Sequence, residues 1–231
     1  MSNFFTNVIG RKLVMSITGL FLVLFVLFHA TMNLVAVFSE KGYDAICGFL
    51  GANWYALAAT LVLAAGFFIH IIYAFWLTLK NQAARGNQRY AMTSRPKEVS
   101  WASKNMLVLG IIVIGFACLH LYQFWAKMQL VEILGEEPAS GITLIKETFA
   151  CPVFVICYLV WLAALWFHLT HGFWSAFHTL GWNNQIWIPR LECIAKWVAT
   201  IIFAMFALVV VCFYVKYGLL AGGCQACGFC C

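Results

Sequence analysis

The chain has 231 residues, of which 64% are hydrophobic and only 10% charged, and its mean hydropathy is +0.90. Soluble domains carry about 25% charged residues, so the composition excludes an ordinary soluble enzyme and indicates an integral membrane protein. The formal net charge of +6 comes from basic residues between the apolar runs, which is typical of a membrane topology signal rather than of a nucleic-acid site.

Five long apolar runs follow one another along the chain. Each is long enough, as a helix, to cross roughly 30 Å of hydrocarbon. We therefore predict an all-α fold, an integral membrane bundle of five transmembrane helices in one domain covering 1–231. The predicted helices lie at about 13–38, 54–79, 103–127, 151–178 and 193–217, and a Cys-rich tail follows at 218–231.

The distribution of charge predicts the orientation of the bundle. With five spans, the N-terminus and the loops 80–104 and 178–196 share one side, which holds ten of the 14 Lys and Arg residues. Cytoplasmic loops carry an excess of Lys and Arg, so we expect a cytoplasmic N-terminus and a C-terminus outside. A basic face of this kind can also seat a soluble partner or anionic lipid.

Four histidines, His29, His70, His120 and His168, each lie inside a different one of the predicted helices. Ionisable residues within a membrane are costly and by default indicate a functional site. Counted along alternating helix directions at about 1.5 Å per residue, His29 and His120 lie in the outer half, and His70 and His168 in the inner half. Two stacked bis-histidine metal centres of the haem type follow as the interpretation.

These histidines have other interpretations. A single histidine in a membrane helix can simply bond a neighbouring helix, but four at two depths favour metal centres. Zinc or non-haem iron would require carboxylate or cysteine ligands nearby, and these helices are nearly free of Asp and Glu. His171 shares a face with His168, so depth alone leaves both open as the ligand of the fourth helix. His178 is interpreted as a solvated residue at the helix end.

Small residues near the histidines have two interpretations. Gly66, Gly115 and Gly172 lie four or five residues from His70, His120 and His168. They either let a flat ring approach the helix backbone or serve ordinary helix packing.

Four segments carry a resemblance to a known family. They are "SITGLFLVLFVLFHATMN" (Ser16–Asn33), "FFIHIIYAF" around His70, "GFACLHLY" around His120 and "FHLTHGFWSAFHTLGW" (Phe167–Trp182). They resemble the cytochrome b membrane-anchor subunit of succinate:quinone oxidoreductases. The most similar type is the five-helix, two-haem form of menaquinone-using succinate dehydrogenases and fumarate reductases. The resemblance covers the chain apart from its tail.

The resemblance implies two haem b groups and four axial ligands. His29 and His120 would hold the outer haem, and His70 and His168 the inner one. The family's ligand on the fourth helix precedes one glycine by four residues and a second by thirteen. His168 meets both spacings, with Gly172 and Gly181, and His171 does not, so the resemblance favours His168.

The family also implies partners, a substrate and a location. A flavoprotein and an iron–sulfur subunit would dock on the cytoplasmic side, menaquinone or menaquinol would be the membrane substrate, and the membrane would be the bacterial cytoplasmic one. The chain itself would carry electrons and bind quinone without a catalytic domain for succinate or fumarate, and dimerisation of the whole complex is compatible with this.

Two features depart from the family. Trp166 occupies the position at which some two-haem fumarate reductases have a glutamate linked to proton transfer, so a proton route through that position is in doubt. The tail cysteines Cys224, Cys227, Cys230 and Cys231 have no counterpart. Their CxxC spacing suits a metal, but outside the membrane disulfides or a disordered end are favoured.

Glu40 and Asp44 follow the outer end of the first helix and are the candidate proton acceptors of a quinol site, although loop acids are often only solvated. On the inner side, Arg85, Arg89, Arg95, Lys97 and Lys104 are candidates for pairing haem propionates or docking the iron–sulfur subunit. The alternatives to the main interpretation are the cytochrome b subunit of a hydrogenase or formate dehydrogenase and a transporter with a histidine proton relay.

Overall fold

The computed structural model describes residues 7–51, 53–85 and 100–220. These residues form α-helices and two π-helical segments, without a strand among them. In chain order the helices are α1 (Val8–Phe38), α2 (Glu40–Phe49), α3 (Trp54–Arg85), α4 (Trp101–Lys104), α5 (Met106–His120), α6 (Val131–Ile133), α7 (Gly141–Ala150), α8 (Pro152–Thr179) and α9 (Trp187–Phe213). A π-helical segment, Leu121–Leu130, joins α5 to α6, and a second, Tyr214–Leu219, extends α9.

Five of these helical stretches are long and apolar enough to cross a membrane, which confirms the predicted all-α membrane bundle. Four of the five are longer than the sequence predicted, and the fourth, Pro152–Thr179, has the predicted length. The first begins at Val8 rather than near 13, the second continues to Arg85, and the fifth begins at Trp187. Hydropathy locates the segment in hydrocarbon, whereas the helix continues into the polar interface until a cap or turn stops it.

Two helices, α2 and α7, lie in the connections that the sequence left unassigned. Both begin at a serine whose hydroxyl accepts a backbone hydrogen bond: Ser39 from the amide of Gly42 at 3.0 Å, and Ser140 from that of Thr143 at 3.4 Å. A side-chain oxygen at this position satisfies an otherwise unpaired amide. The two helices contact each other and define what we call the opposite face, as distinct from the N-terminal face, where α1 begins.

The bundle is organised around α1, which contacts α3, α8 and α9, while α5 packs on α8. Small residues bring these helices close together, since Ala30, Ala195 and Ala199 are at most 1% exposed. Close approach through small side chains is the usual basis of helix association in membranes. The outward faces carry large apolar side chains, such as Leu61 and Trp197, which are 71% and 66% exposed, as expected of surfaces that face lipid.

A glycine turn ends α8. Gly181 adopts φ +103°, in the left-handed region that favours glycine. The amide of Trp182 donates to the carbonyl of Phe177 at 3.1 Å, and that of Gly181 to His178 at 3.2 Å. These two bonds form a Schellman motif, so the glycine thirteen residues after His168 has a conformational role.

Candidate metal centres

The four membrane histidines lie in two pairs. His29 of α1 faces His120 at the end of α5, with ring centroids 5.8 Å apart and planes at 82°. His70 of α3 faces His168 of α8, with centroids 6.5 Å apart and planes at 70°. These are the pairs that depth along the helices predicted, and each ring is half-buried. The haem-ligand role of the four residues stays a prediction.

The spacing of each pair fits one metal ion between two imidazoles. Rings on opposite sides of an ion, each at a metal–nitrogen bond of roughly 2 Å, have centroids about 6 Å apart. Among residues 7–51, 53–85 and 100–220, no group of three or more His, Cys, Asp or Glu side chains is placed to hold a metal ion together. A porphyrin supplies its own four equatorial nitrogens, so one pair of histidines fits the axial positions of a haem.

The surroundings of His70 suit a metal ligand. Its Nδ1 lies 3.3 Å from the hydroxyl of Thr18 on α1. That hydroxyl donates its own proton to the carbonyl of Val14 at 2.8 Å, and in this arrangement its oxygen accepts from Nδ1–H of His70. This tautomer of His70 leaves the lone pair on Nε2 for a metal. Ligating histidines usually have such a partner on their second nitrogen.

His120 has a similar partner built from two buried side chains. Its Nδ1 lies 3.4 Å from the hydroxyl of Tyr158 on α8, and this hydroxyl donates to Gln123 Oε1 at 2.7 Å. Tyr158 and Gln123 are 5% and 8% exposed. The Tyr158 proton is thus committed to Gln123, and the hydroxyl oxygen is left to accept from Nδ1–H of His120. We call this chain the Tyr158–Gln123 relay.

Asn33 and Tyr43 complete the surroundings of the His29–His120 pair. Asn33 lies one turn after His29, and its amide nitrogen is 3.4 Å from both ring nitrogens and 2.8 Å from the carbonyl of His29. The hydroxyl of Tyr43 on α2 donates to Asn33 Oδ1 at 3.2 Å. A polar path therefore connects this pair with the helix that carries Glu40 and Asp44.

On α8, His168 and not its neighbour His171 faces His70 of α3. His171 packs edge-on against Trp174, with ring centroids 5.2 Å apart, and His178 is exposed at the helix end. The Nδ1 atoms of His168 and His171 are both buried without a hydrogen-bond partner among the described residues. The geometry agrees with His168 as the partner of His70.

The three glycines differ in their surroundings. A Cβ on Gly66 would lie 2.9 Å from the ring of Phe21, so this glycine lets α3 pack closely on α1. A Cβ on Gly115 would meet no atom within 4 Å, and one on Gly172 only Met106 at 3.9 Å. Helix packing therefore explains Gly66, while Gly115 and Gly172 leave space beside the helix. A fourth glycine, Gly19 of α1, lies against His70, since a Cβ there would be 3.2 Å from His70 Cε1.

Glu40, a predicted proton acceptor, lies in a cluster of cations on the opposite face. It accepts hydrogen bonds from Lys146 at 2.6 Å, from Lys216 at 2.7 Å and from the hydroxyl of Tyr217. These bonds, that of Lys146 first, lower the pKa of Glu40 to about 2, and Glu40 in turn raises the pKa of Lys146. We call these four residues the Glu40 cluster.

Asp44, the second predicted acceptor, binds the start of α7. Its carboxylate accepts from the hydroxyl of Ser140 at 3.0 Å and from the amide of Ile142 at 3.1 Å. Nearby, burial raises the pKa of the Tyr43 hydroxyl, and burial also raises the pKa of the Cys47 thiol to about 11. Asp44 therefore differs from Glu40 in its partners, because no lysine or arginine of the described residues forms a salt bridge with it.

Trp166 and Lys104 are the remaining predicted positions whose side chains the structure describes. Trp166 donates its indole N–H to the hydroxyl of Thr200 on α9 at 3.0 Å, an interaction that offers no carboxylate for proton transfer. Lys104 lies exposed at the end of α4. The other predicted positions lie outside the described part of the chain. They are the side chain of Arg85, the residues Arg89, Arg95 and Lys97, and the tail cysteines Cys224, Cys227, Cys230 and Cys231.

The polar partners of the histidines were not predicted from the sequence. Asn33 and Gln123 follow His29 and His120 at a spacing of four and three residues, and residues at these spacings share a helix face. A search for polar residues one turn from each histidine would have found them. Thr18 and Tyr158 belong to other helices than the histidines they contact and carry no such signal.

Comparisons with known proteins give no independent identification. No family model matches the chain, and no curated protein or solved structure matches it either.

Proposed function

We propose that this chain is the di-haem cytochrome b anchor subunit of a succinate:menaquinone oxidoreductase or menaquinol:fumarate reductase. The observation that carries the proposal is that the histidines form two pairs at different depths, each with the spacing of two ligands on opposite sides of one metal ion. His29 and Thr18, which mark the depth of the two pairs on α1, are eleven residues apart, or about 16 Å at about 1.5 Å per residue. Haem, when bound, would supply one-electron transfer.

The residues of the chain would hold and tune the two groups. His29 with His120 and His70 with His168 would be the axial ligands. Thr18 and the Tyr158–Gln123 relay fix the tautomers of His70 and His120 and increase their basicity as ligands. The apolar side chains of α1, α8 and α9 exclude water from the interior between the pairs, as in the cluster of Val23, Leu169 and Ile202.

In the proposed orientation the N-terminal face lies in the bacterial cytoplasm, and the flavoprotein and iron–sulfur subunits dock on it. The positive-inside distribution of charge supports this orientation. Cys151, at the junction of α7 and α8, is disulfide-bonded, and disulfides persist in oxidising compartments. The opposite face would then be outside, with a C-terminus on that side.

Menaquinol would react beside the His29–His120 pair, near the opposite face. Of the two candidate proton acceptors we retain Asp44, because the cations around Glu40 hold its carboxylate charged. A proton acceptor works best when its pKa is near the working pH. The polar path from His29 through Asn33 to Tyr43 supports a site at this end of the bundle.

The test is a reduced-minus-oxidised absorption spectrum of the purified chain. We expect a b-type band from two haems per chain, resolved into two components by redox titration. His29→Ala and His120→Ala should remove one component, and His70→Ala and His168→Ala the other. A folded chain without a b-type band would overturn the proposal and favour a transporter with histidine relays, whereas loss of components in other pairings would overturn the assignment of ligands.

A further inference from the structure

Arg11 is a buried cation without an anionic partner. It is the fourth residue of α1 and is 7% exposed, and its Nε has no hydrogen-bond partner among the described residues. The salt bridges of the described residues all involve Glu40, on the other face of the bundle. An unpaired charge is costly to bury unless an opposite charge and hydrogen-bond acceptors reach it. The position therefore calls for an anion that the described chain does not supply.

Trp76 holds the guanidinium in place. Its ring centroid lies 4.9 Å from the central guanidinium carbon of Arg11. A contact of this kind attracts the cation to the ring. A guanidinium carries its N–H donors in its plane and can bind a carboxylate in two-pronged fashion.

The site is on the same two helices as the contact between Thr18 and His70. Thr18 follows Arg11 by seven residues on α1, and Trp76 follows His70 by six on α3. At about 1.5 Å per residue these separations are about 10 Å and about 9 Å along the two helices. Both helices thus place the guanidinium on the N-terminal side of the His70–His168 pair, by similar distances.

We propose that Arg11, supported by Trp76, binds a propionate carboxylate of the haem held between His70 and His168. This proposal rests on the proposed function. A haem that stands between helices presents its two carboxylates at one edge, and the N-terminal face is the nearer membrane surface for this pair. The carboxylate would neutralise the buried guanidinium, and the positive charge would favour the reduced iron. The phosphate of an anionic lipid has similar acceptor chemistry, so the experiment must separate the two sources.

The experiment compares Arg11→Gln with Lys12→Gln in the full chain loaded with haem. Lys12 is the next residue and is exposed, so its variant removes the same charge at the same depth without touching the buried site. For Arg11→Gln, redox titration in lipid-free detergent should show a lower potential for the component that His70→Ala removes, with the potential of the other component unchanged. Lys12→Gln should have the wild-type potentials. Arg11→Lys should show a smaller decrease than Arg11→Gln, because it keeps the charge without the planar fork.

Several outcomes overturn the inference. Equal shifts in Arg11→Gln and Lys12→Gln, or equal shifts of both components, would reduce Arg11 to a general surface charge. A shift present only in vesicles with anionic lipid, and absent from lipid-free detergent, would assign the anion to lipid phosphate. If Arg11→Gln does not fold, Arg11→Lys and Trp76→Leu are titrated instead, and a wild-type potential in both contradicts the proposal. A wild-type chain without a b-type band would fail the proposed function itself, which keeps the two failures distinct.

Discussion

The Glu40 cluster is predicted to stabilise the fold rather than to exchange protons. The perturbation is Glu40→Gln, which removes the charge that binds Lys146 and Lys216 but keeps an acceptor oxygen for Tyr217. Glu40 begins α2, Lys146 belongs to α7, and the other two residues lie in the π-helical extension of α9. The variant therefore loosens three elements at the opposite face, without a contact to the histidine pairs among the bonds of Glu40.

The magnitude follows from two ion pairs of intermediate exposure. Lowering the pKa of Glu40 from 4.5 to about 2 would correspond to roughly 3 kcal/mol at about 1.36 kcal/mol per pKa unit if nothing screened it. The Glu40 side chain is 31% exposed and that of Lys216 is 62% exposed, so water and salt reduce the effect, and exposed pairs usually give about 0.2–1 kcal/mol each. For the two pairs together we expect Glu40→Gln to lower the free energy of unfolding by about 0.4–2 kcal/mol at neutral pH.

The pH dependence has a definite sign. Because the pKa of Glu40 is lower in the folded chain, its stabilisation is complete above the unfolded pKa of 4.5 and is lost as the pH falls toward about 2. Thermal unfolding of the detergent-purified chain at pH 7 and pH 3 should therefore show a difference between wild type and variant that shrinks at low pH and at high salt. Glu147→Gln, on an exposed position of α7, is the matched control and should leave stability unchanged. Equal stability of Glu40→Gln and Glu147→Gln at pH 7 would refute the reasoning.

Three further predictions concern the histidine pairs and the quinol site. Tyr158→Phe removes the acceptor for Nδ1–H of His120 and leaves Gln123 Oε1 unpaired. The titration component that is lost in His120→Ala should therefore move to higher potential, and thermal unfolding should show a loss of about 0.6–1.7 kcal/mol of stability. An unchanged potential would contradict the Tyr158–Gln123 relay. His168→Ala should remove the component that His70→Ala removes, whereas His171→Ala should keep both haems in the absorption spectrum; the opposite result would make His171 the ligand. Asp44→Asn keeps an acceptor oxygen for Ser140 and for the amide of Ile142 but cannot take up a proton, so menaquinol oxidation by the complete complex should fall about a hundredfold. Unchanged turnover of a folded variant would exclude Asp44 as the proton acceptor.

Depth of the histidines could be read from the sequence because it depends on one dimension only. The rise of a helix and the alternation of span direction are sufficient to place His29 at the level of His120 and His70 at the level of His168. The same counting could not separate His168 from His171, which are one turn apart on one helix. Only the rotation of α8 in the bundle decides which imidazole faces His70, and that rotation is fixed by packing against α1, α5 and α9.

The helices α2 and α7 show where sequence patterns fail. Each is only ten residues long, and neither is apolar enough to be recognised as a span. Their serine caps were present in the sequence, but a short helix is not stable by itself and forms because its apolar face packs in the bundle. Tyr43 of α2 and Ile145 of α7 lie in the same buried cluster as Tyr158 of α8.

The sequence by itself determined the membrane class, the five spans and the two depths of the histidines, since hydrophobicity and helix rise are properties of neighbouring residues. Tertiary structure decided which polar groups of other helices surround them, because those partners come from distant parts of the chain. Tyr158 is 38 residues from His120, and Lys146 and Lys216 are 106 and 176 residues from Glu40. Whether a carboxylate is free to accept a proton or held as an ion pair depends on such contacts, and helix packing alone brings them together.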